Sequence, residues 1–169
     1  TLTIETHPEN ALDVAEQAVN LARGATRDRR EVPIDFPADM PTLHVDPRRL
    51  AQALANILAN ALKFTPEGHD VRIGAAPTPE GGVALFVEDN GIGMAEETIA
   101  AAMEPFRQVD GSLARKFEGT GLGLSIARAL IELHDGSLSI RSAVGVGTTV
   151  VLTLPAARVT PVMPRALAS

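Results

Sequence analysis

Asn56, Asn60 and Lys63 follow one another at spacings of four and three residues. At about 100° per residue they share one helical stripe roughly 60° wide. Leu50, Leu54 and Leu58 fall on the opposite side, so a helix here has a core face and a face with two amides and one cation. Asn is a poor helix former, and two of them on one stripe is unusual for a merely solvated face. An amide oxygen is a hard ligand suited to Mg²⁺, and a lysine ammonium meets phosphate oxygens as a point charge.

Two glycine clusters extend this chemistry. Asp89-x-Gly91-x-Gly93 follows an apolar run that reads as a strand. Glycines there permit unusual dihedrals and let a ligand approach, and a carboxylate at the strand end can accept from an exocyclic amine. Gly119-Thr120-Gly121-Leu122-Gly123-Leu124 runs into a helix. Backbone N–H groups and the positive end of a helix dipole suit a polyphosphate. Neither the dinucleotide G-x-G-x-x-G nor the P-loop G-x-x-x-x-G-K-[ST] occurs. Gly145-Val146-Gly147-Thr148 reads by itself as a tight hairpin.

The elements that must hold these residues are legible from patterning. Pro8 to Gly24 carries Leu12, Ala15, Val19 and Ala22 at helical spacing. Val32, Ile34 and Phe36 alternate with polar or proline positions, which predicts an edge strand. Asp46-Pro47 is a cap followed by proline at the first helical position, and the helix ends at Thr65-Pro66. Strands are expected over 71–75 and 83–88 with a turn-rich link. A short helix follows over 95–103, then a loop over 107–118, a helix from the Gly119 cluster to Asp135-Gly136, and closing strands over 137–142 and 148–154. The order is not a regular βαβ alternation, so a layered α+β sandwich is expected. Residues 156–169 read as a disordered tail.

Composition narrows the function. The 169 residues carry a net charge of −6, no Cys, Trp or Tyr, and five Phe. A chain without Cys has no disulfide framework and no thiolate metal site. Few aromatics and an acidic balance disfavour base-stacking or non-specific binding to nucleic acid or anionic membrane. No run is long and apolar enough to span a bilayer. The chain opens at Thr1 rather than Met, so a piece of a longer protein is expected.

Together and in order, the segments resemble the ATP-binding catalytic domain of bacterial sensor histidine kinases. Asn56-Ile57-Leu58-Ala59-Asn60-Ala61-Leu62-Lys63-Phe64-Thr65-Pro66 is similar to the N box, and Asp89-Asn90-Gly91-Ile92-Gly93-Met94 to the G1 box. Glu104-Pro105-Phe106 resembles the F box, and Gly119 to Leu124 the G2 box. Gly145-Val146-Gly147-Thr148 resembles the third glycine box. The resemblance covers 2–155 and implies a Bergerat-type sandwich: a mixed, mostly antiparallel sheet covered on one face by about three helices. One catalytic and ATP-binding domain over 1–155 is expected.

The resemblance also implies roles. Asn60 would bind Mg²⁺, with Asn56 beside it near the phosphates of ATP. Lys63 would contact phosphate and Phe64 would pack near the base. Asp89 would take the adenine amine, with Gly91, Gly93 and Met94 shaping that pocket and Thr148 supporting it. The backbone of Gly119, Thr120, Gly121, Leu122, Gly123 and Leu124 would hold phosphates. Residues 107–118 would form a mobile lid, with Phe106 at its hinge and Arg115 and Lys116 as phosphate contacts.

The acceptor would be a histidine on a separate dimerisation and phosphoacceptor domain. The family's acceptor pattern, His then an acidic residue then Arg-x-Pro, does not occur. His7, His44, His69 and His134 read as structural or surface residues, without zinc-ligand spacing. Other implied properties are a response-regulator partner for the full-length protein, a monomeric fragment without membrane or nucleic-acid contact, and a cytoplasmic location. Anchoring of the full-length protein at the inner membrane stays open.

The same fold serves gyrase, MutL-type and chaperone ATPases, which place a Glu four residues before the Mg²⁺-binding Asn. Here that residue is Asn56, and an amide cannot serve as a general base. A pseudokinase module that docks partners is the alternative from another class. A serine kinase acting on anti-sigma partners suits the long lid and Glu-Pro-Phe segment less well.

Overall fold

The structure, a computed structural model, describes residues 3–103 and 121–162, with the backbone alone for 121–123. Asn10 starts the first helix: its Oδ1 accepts from the N–H of Leu12 at 2.8 Å and of Asp13 at 3.2 Å. Two orphan donors are thereby satisfied, and α1 runs Ala11–Thr26. Pro8, expected to open this helix, lies instead in β1 (His7–Glu9), opposite His44. β1 is an edge strand, where a missing N–H need not cost a ladder bond. The helix continues past Gly24 and ends on Arg27, whose φ of 59° is left-handed and whose N–H bonds the Arg23 carbonyl at 2.8 Å.

The elements that follow are β2 (Ile34–Asp35), β3 (Thr42–Val45), α2 (Pro47–Phe64), β4 (Val71–Pro77) and β5 (Val83–Asp89). Then come α3 (Glu96–Met103), α4 (Gly121–Leu133), β6 (Ser137–Ala143), β7 (Gly147–Leu154), a 3₁₀ turn (Ala156–Arg158) and β8 (Val159–Thr160). Asp46 caps α2 as its sequence predicts: Oδ1 accepts from the N–H of Arg48 and Arg49, both at 3.2 Å. Its second oxygen accepts from Glu5 N–H at 2.9 Å, tying the N-terminal segment to the helix start.

A five-stranded sheet has the order β2-β4-β5-β7-β6, parallel only between β2 and β4. Along β5, buried Val83, Leu85 and Val87 alternate with half-buried Ala84, Phe86 and Glu88. This is the period-2 pattern of a sheet with one covered face. The helices supply the cover. α2 packs against α1, α4 and β5, and α4 against β6 and β7. Leu50, Leu54, Leu58, Leu85, Ile131 and Leu152 meet in the core between the layers. The α+β sandwich and its mostly antiparallel mixed sheet therefore agree with expectation.

Two differences stand out. A second, three-stranded sheet has the order β1-β3-β8. Its pairings join residues far apart in sequence, such as Leu43 with Val159, which no local pattern announces. The same pairing corrects the expected tail: order continues through the 3₁₀ turn and β8 to Thr160, because β3 offers an edge to pair with. Residues from 163 onward lie outside the described residues.

Candidate functional site

The last turns of α2 meet the ends of β5 and β7 at a cleft of about 270 Å³. Asn60, Ala61 and Phe64 come from α2, Val87 and Asp89 from β5, Thr148 and Val150 from β7, and Leu124 from α4. Met94 and Thr98 close it from the turn after β5 and from α3, and Val144 from the β6–β7 turn. Among the described residues, the polar side chains on this largely apolar wall are Asn60, Asp89, Thr98 and Thr148. An apolar pocket with a few convergent polar groups is the usual form of a small-molecule site.

Asp89 is held by the backbone of two elements. Its Oδ1 accepts from Gly91 N–H at 2.9 Å and from Thr148 N–H at 3.2 Å. Both bonds fall on one oxygen, so Oδ2 keeps lone pairs for an amine donor. Burial raises the carboxyl's pKa above the ordinary carboxylate value, with Glu88 adding to the rise, against the pull of the two N–H donors. The Thr65 hydroxyl also favours the charged form, more weakly than the backbone donors. That hydroxyl is buried and makes no well-aligned hydrogen bond in this structure.

Ser142, on which the sequence is silent, ties Met94 to Thr148 behind the cleft lining. Its Oγ accepts from Met94 N–H at 2.7 Å and donates to the Gly147 carbonyl at 3.1 Å. It also shares a hydrogen bond with Thr148 Oγ1 at 2.7 Å. A lone serine in a strand carries no sequence signal for such a role.

The glycines of the turn after β5 also have a packing role. A Cβ on Gly91 would lie 2.8 Å from both the Phe64 carbonyl oxygen and Thr65 Oγ1. At Gly93, where φ is +71°, it would lie 1.9 Å from the Ala143 carbonyl oxygen. The close approach in this structure is therefore of protein backbone to protein backbone. It draws the end of α2 and the β6–β7 turn onto the turn that carries Asp89.

The structure brings Asn60, Phe64, Asp89, Gly93, Met94, Leu124 and Thr148 to the one cleft. Gly91 is buried beside it, Asn56 stands half-buried one turn before Asn60, and Lys63 is exposed on the last turn of α2. α4 opens at Gly121, with the side chain of Leu122 outside the described residues, as at Gly123. Phe106, Arg115, Lys116, Gly119 and Thr120, and with them the expected lid over 107–118, lie outside the described residues.

The histidines stand elsewhere. His7 is exposed in β1, and His44 meets the Thr160 hydroxyl across β3 and β8. His69 Nδ1 meets the Asn90 carbonyl at 3.1 Å, and His134 is fully buried at the end of α4. Among the described residues no group of three His, Cys, Asp or Glu side chains is arranged to hold a metal ion. No helix among them is long and apolar enough to cross a membrane.

Comparison with known proteins adds a family. A family model described as "Histidine kinase-, DNA gyrase B-, and HSP90-like ATPase" matches residues 45–158. The non-motile and phage-resistance protein of Caulobacter vibrioides is 43% identical over 147 residues, covering 85% of this chain and 17% of that protein. The cell-division control histidine kinase PdhS of Brucella anthropi is 34% identical over 154 residues, covering 86% of this chain and 15% of that protein. The crystal structure of full-length ShkA in complex with AMPPNP superimposes with a TM-score of 0.74 at 26% identity, over 96% of this chain and 33% of that one. The chain thus spans less than a fifth of the length of these two curated relatives.

Proposed function

The chain belongs to the histidine kinase-, DNA gyrase B- and HSP90-like ATPase family, and from that premise we propose that it is the ATP-binding catalytic domain of a two-component sensor histidine kinase. It would pass the γ-phosphoryl group of ATP to a histidine on a separate dimerisation and phosphoacceptor domain of a longer protein. A response regulator would then receive the phosphoryl group. The folded catalytic unit would run from the N-terminal segment to Thr160. The observation that carries the reading is Asp89: a carboxylate at the base of an apolar cleft, held by two backbone N–H groups through one oxygen.

The residues fit a Mg-nucleotide. An apolar slot between Phe64, Met94, Val87 and Val150 accepts a flat base, and Asp89 Oδ2 accepts its exocyclic amine. Asn60 lies on the same wall, where an amide oxygen is a suitable hard ligand. With no carboxylate cage among the described residues, an ion at Asn60 would share its shell with phosphate oxygens, as Mg²⁺ does in nucleotide sites. Bound Mg²⁺ supplies charge neutralisation at the phosphates.

This chain's own contribution is position and electrostatics. Asp89 selects the base, and Thr148 and Gly91 hold its carboxylate. Lys63, exposed on the last turn of α2, would contact phosphate. Asn56 is an amide where hydrolytic members of the fold carry Glu, and an amide cannot serve as a general base for water. Transfer to an external imidazole is favoured over hydrolysis. The protein would be monomeric in this form and cytoplasmic.

Calorimetric titration with Mg-ATP, Mg-ADP and Mg-GTP tests the reading. Saturable, adenine-selective binding is expected. A folded chain that binds no nucleotide would overturn it and favour a protein-docking module.

A further inference from the structure

Arg30, between α1 and β2, is held at both ends and reaches the last turn of α2. Its Nη2 donates to the Leu62 carbonyl at 3.2 Å and to Asp28 Oδ2 at 3.0 Å, and its Nη1 meets the Pro66 carbonyl at 3.4 Å. Its own N–H donates to Asp28 Oδ1 at 2.9 Å, and its carbonyl accepts from Arg23 Nη2 at 3.2 Å. The side chain is 16% exposed, and Asp28 beside it is 23% exposed. Asp28 therefore aims a largely buried, planar fork at two carbonyls.

Those carbonyls bracket the segment that supports the base end of the cleft. α2 ends on Thr65 in an extended conformation, with no left-handed glycine to satisfy the last carbonyls. The guanidinium takes over that role at the Leu62 carbonyl, at the negative end of the helix dipole, and joins the His69 N–H at the Pro66 carbonyl beyond the helix. Between the two carbonyls lie Phe64, which lines the cleft, and Thr65, whose Oγ1 and Cα stand 2.8 Å and 3.0 Å from where a Gly91 Cβ would be. Gly91 in turn donates its N–H to Asp89 Oδ1 at 2.9 Å.

We propose that Arg30 is a positioning residue for base recognition: by clamping the Leu62 and Pro66 carbonyls it sets Thr65 against Gly91 and so sets the Asp89 carboxylate. It touches no nucleotide. Its effect reaches the ligand through one turn of backbone. The proposal rests on the nucleotide-binding reading above and adds a determinant of base selectivity to it.

The test is the ratio of Mg-ADP to Mg-IDP affinity, measured by calorimetry on the 169-residue chain with thermal unfolding as the fold control. Hypoxanthine carries a carbonyl where adenine carries the exocyclic amine, and a protonated N1, so the ratio reports on recognition of the base edge that Asp89 would meet. Wild-type chain that binds neither nucleotide overturns the nucleotide reading itself. Wild-type preference for Mg-ADP that falls about tenfold in Arg30→Ala is the expected result, a loss on the scale of one charged hydrogen-bonding group. An unchanged ratio overturns the proposal, whether both affinities hold or both fall together. Should Arg30→Ala fail to fold, Arg30→Lys decides by the same ratio. A lysine keeps the charge but cannot fork across both carbonyls, and an undiminished ratio there overturns the proposal too.

Discussion

The imidazole of His134 accepts a hydrogen bond from the backbone N–H of Asp46 at 3.1 Å, at a fully buried position. Its other nitrogen, Nδ1, meets the Leu130 carbonyl at 2.8 Å. One neutral ring thus joins the end of α4 to the cap of α2, the helix that carries Asn60. Nε2 can accept only while unprotonated, so the link requires the neutral form with the proton on Nδ1.

That link makes stability depend on pH. Burial lowers the His134 pKa, aided by Arg158 and opposed by the Leu130 carbonyl, Asp46 and Asp135. The unfolded chain therefore takes up the proton first, and stability falls as the pH drops below the ordinary histidine value of about 6.5. Above that value the effect is absent. Urea unfolding at pH 7.5 and 5.5 should show this loss in wild type, and His134→Gln should be less stable overall yet lack that part of the slope.

Asp89→Asn should weaken Mg-ADP binding about tenfold or more while leaving the melting temperature near wild type. The amide oxygen can still accept from Gly91 and Thr148, so the fold keeps its bonds; the charged acceptor for the base amine is lost. In wild type, affinity should decline as acid titrates the carboxyl, beginning above the ordinary carboxylate range because burial raises its pKa. Titrations from pH 7.5 down to 5 check the direction.

Asn60→Ala should remove the Mg²⁺-dependent part of nucleotide affinity, about tenfold or more, with little change in binding measured in excess chelator. Equal Mg-ATP binding by this variant and wild type would show that the metal assignment is wrong.

Two glycine substitutions should move stability in opposite directions. Gly24→Ala sits within α1 with nothing within 4 Å of the new Cβ, and should stabilise by about 0.5–1 kcal/mol. Gly93→Ala would press on the Ala143 carbonyl at a positive φ, and should cost about 1–3 kcal/mol. Denaturant midpoints of the two variants against wild type measure both.

Much of the fold is legible where the signal is local. Asp46-Pro47 announces the start of α2 because a cap and a first-turn proline act within a few residues. The alternation of Val83, Leu85 and Val87 announces β5 for the same reason. Pro8 misleads, since proline suits a helix start and an edge strand alike, and only pairing with His44 distinguishes them. The candidate site is legible in Asn60, Asp89 and Thr148 because their motifs follow one another along the chain in the order of the family they resemble. Ser142 and Arg30 are not, because their importance lies in which backbone groups they meet.

The sequence by itself determined the types of the longer helices and strands, their core faces and the chemistry offered by the motifs, since periodicity, caps and side-chain type are properties of neighbours in the chain. Tertiary structure alone decided which motifs share a wall. Asp89 and Thr148 are 59 residues apart in sequence, yet the β5–β7 register sets them opposite each other. The β1-β3-β8 sheet and the Arg30 clamp have the same origin. Each depends on a backbone donor or acceptor that every residue possesses, so no side-chain pattern can announce it before the chain has packed.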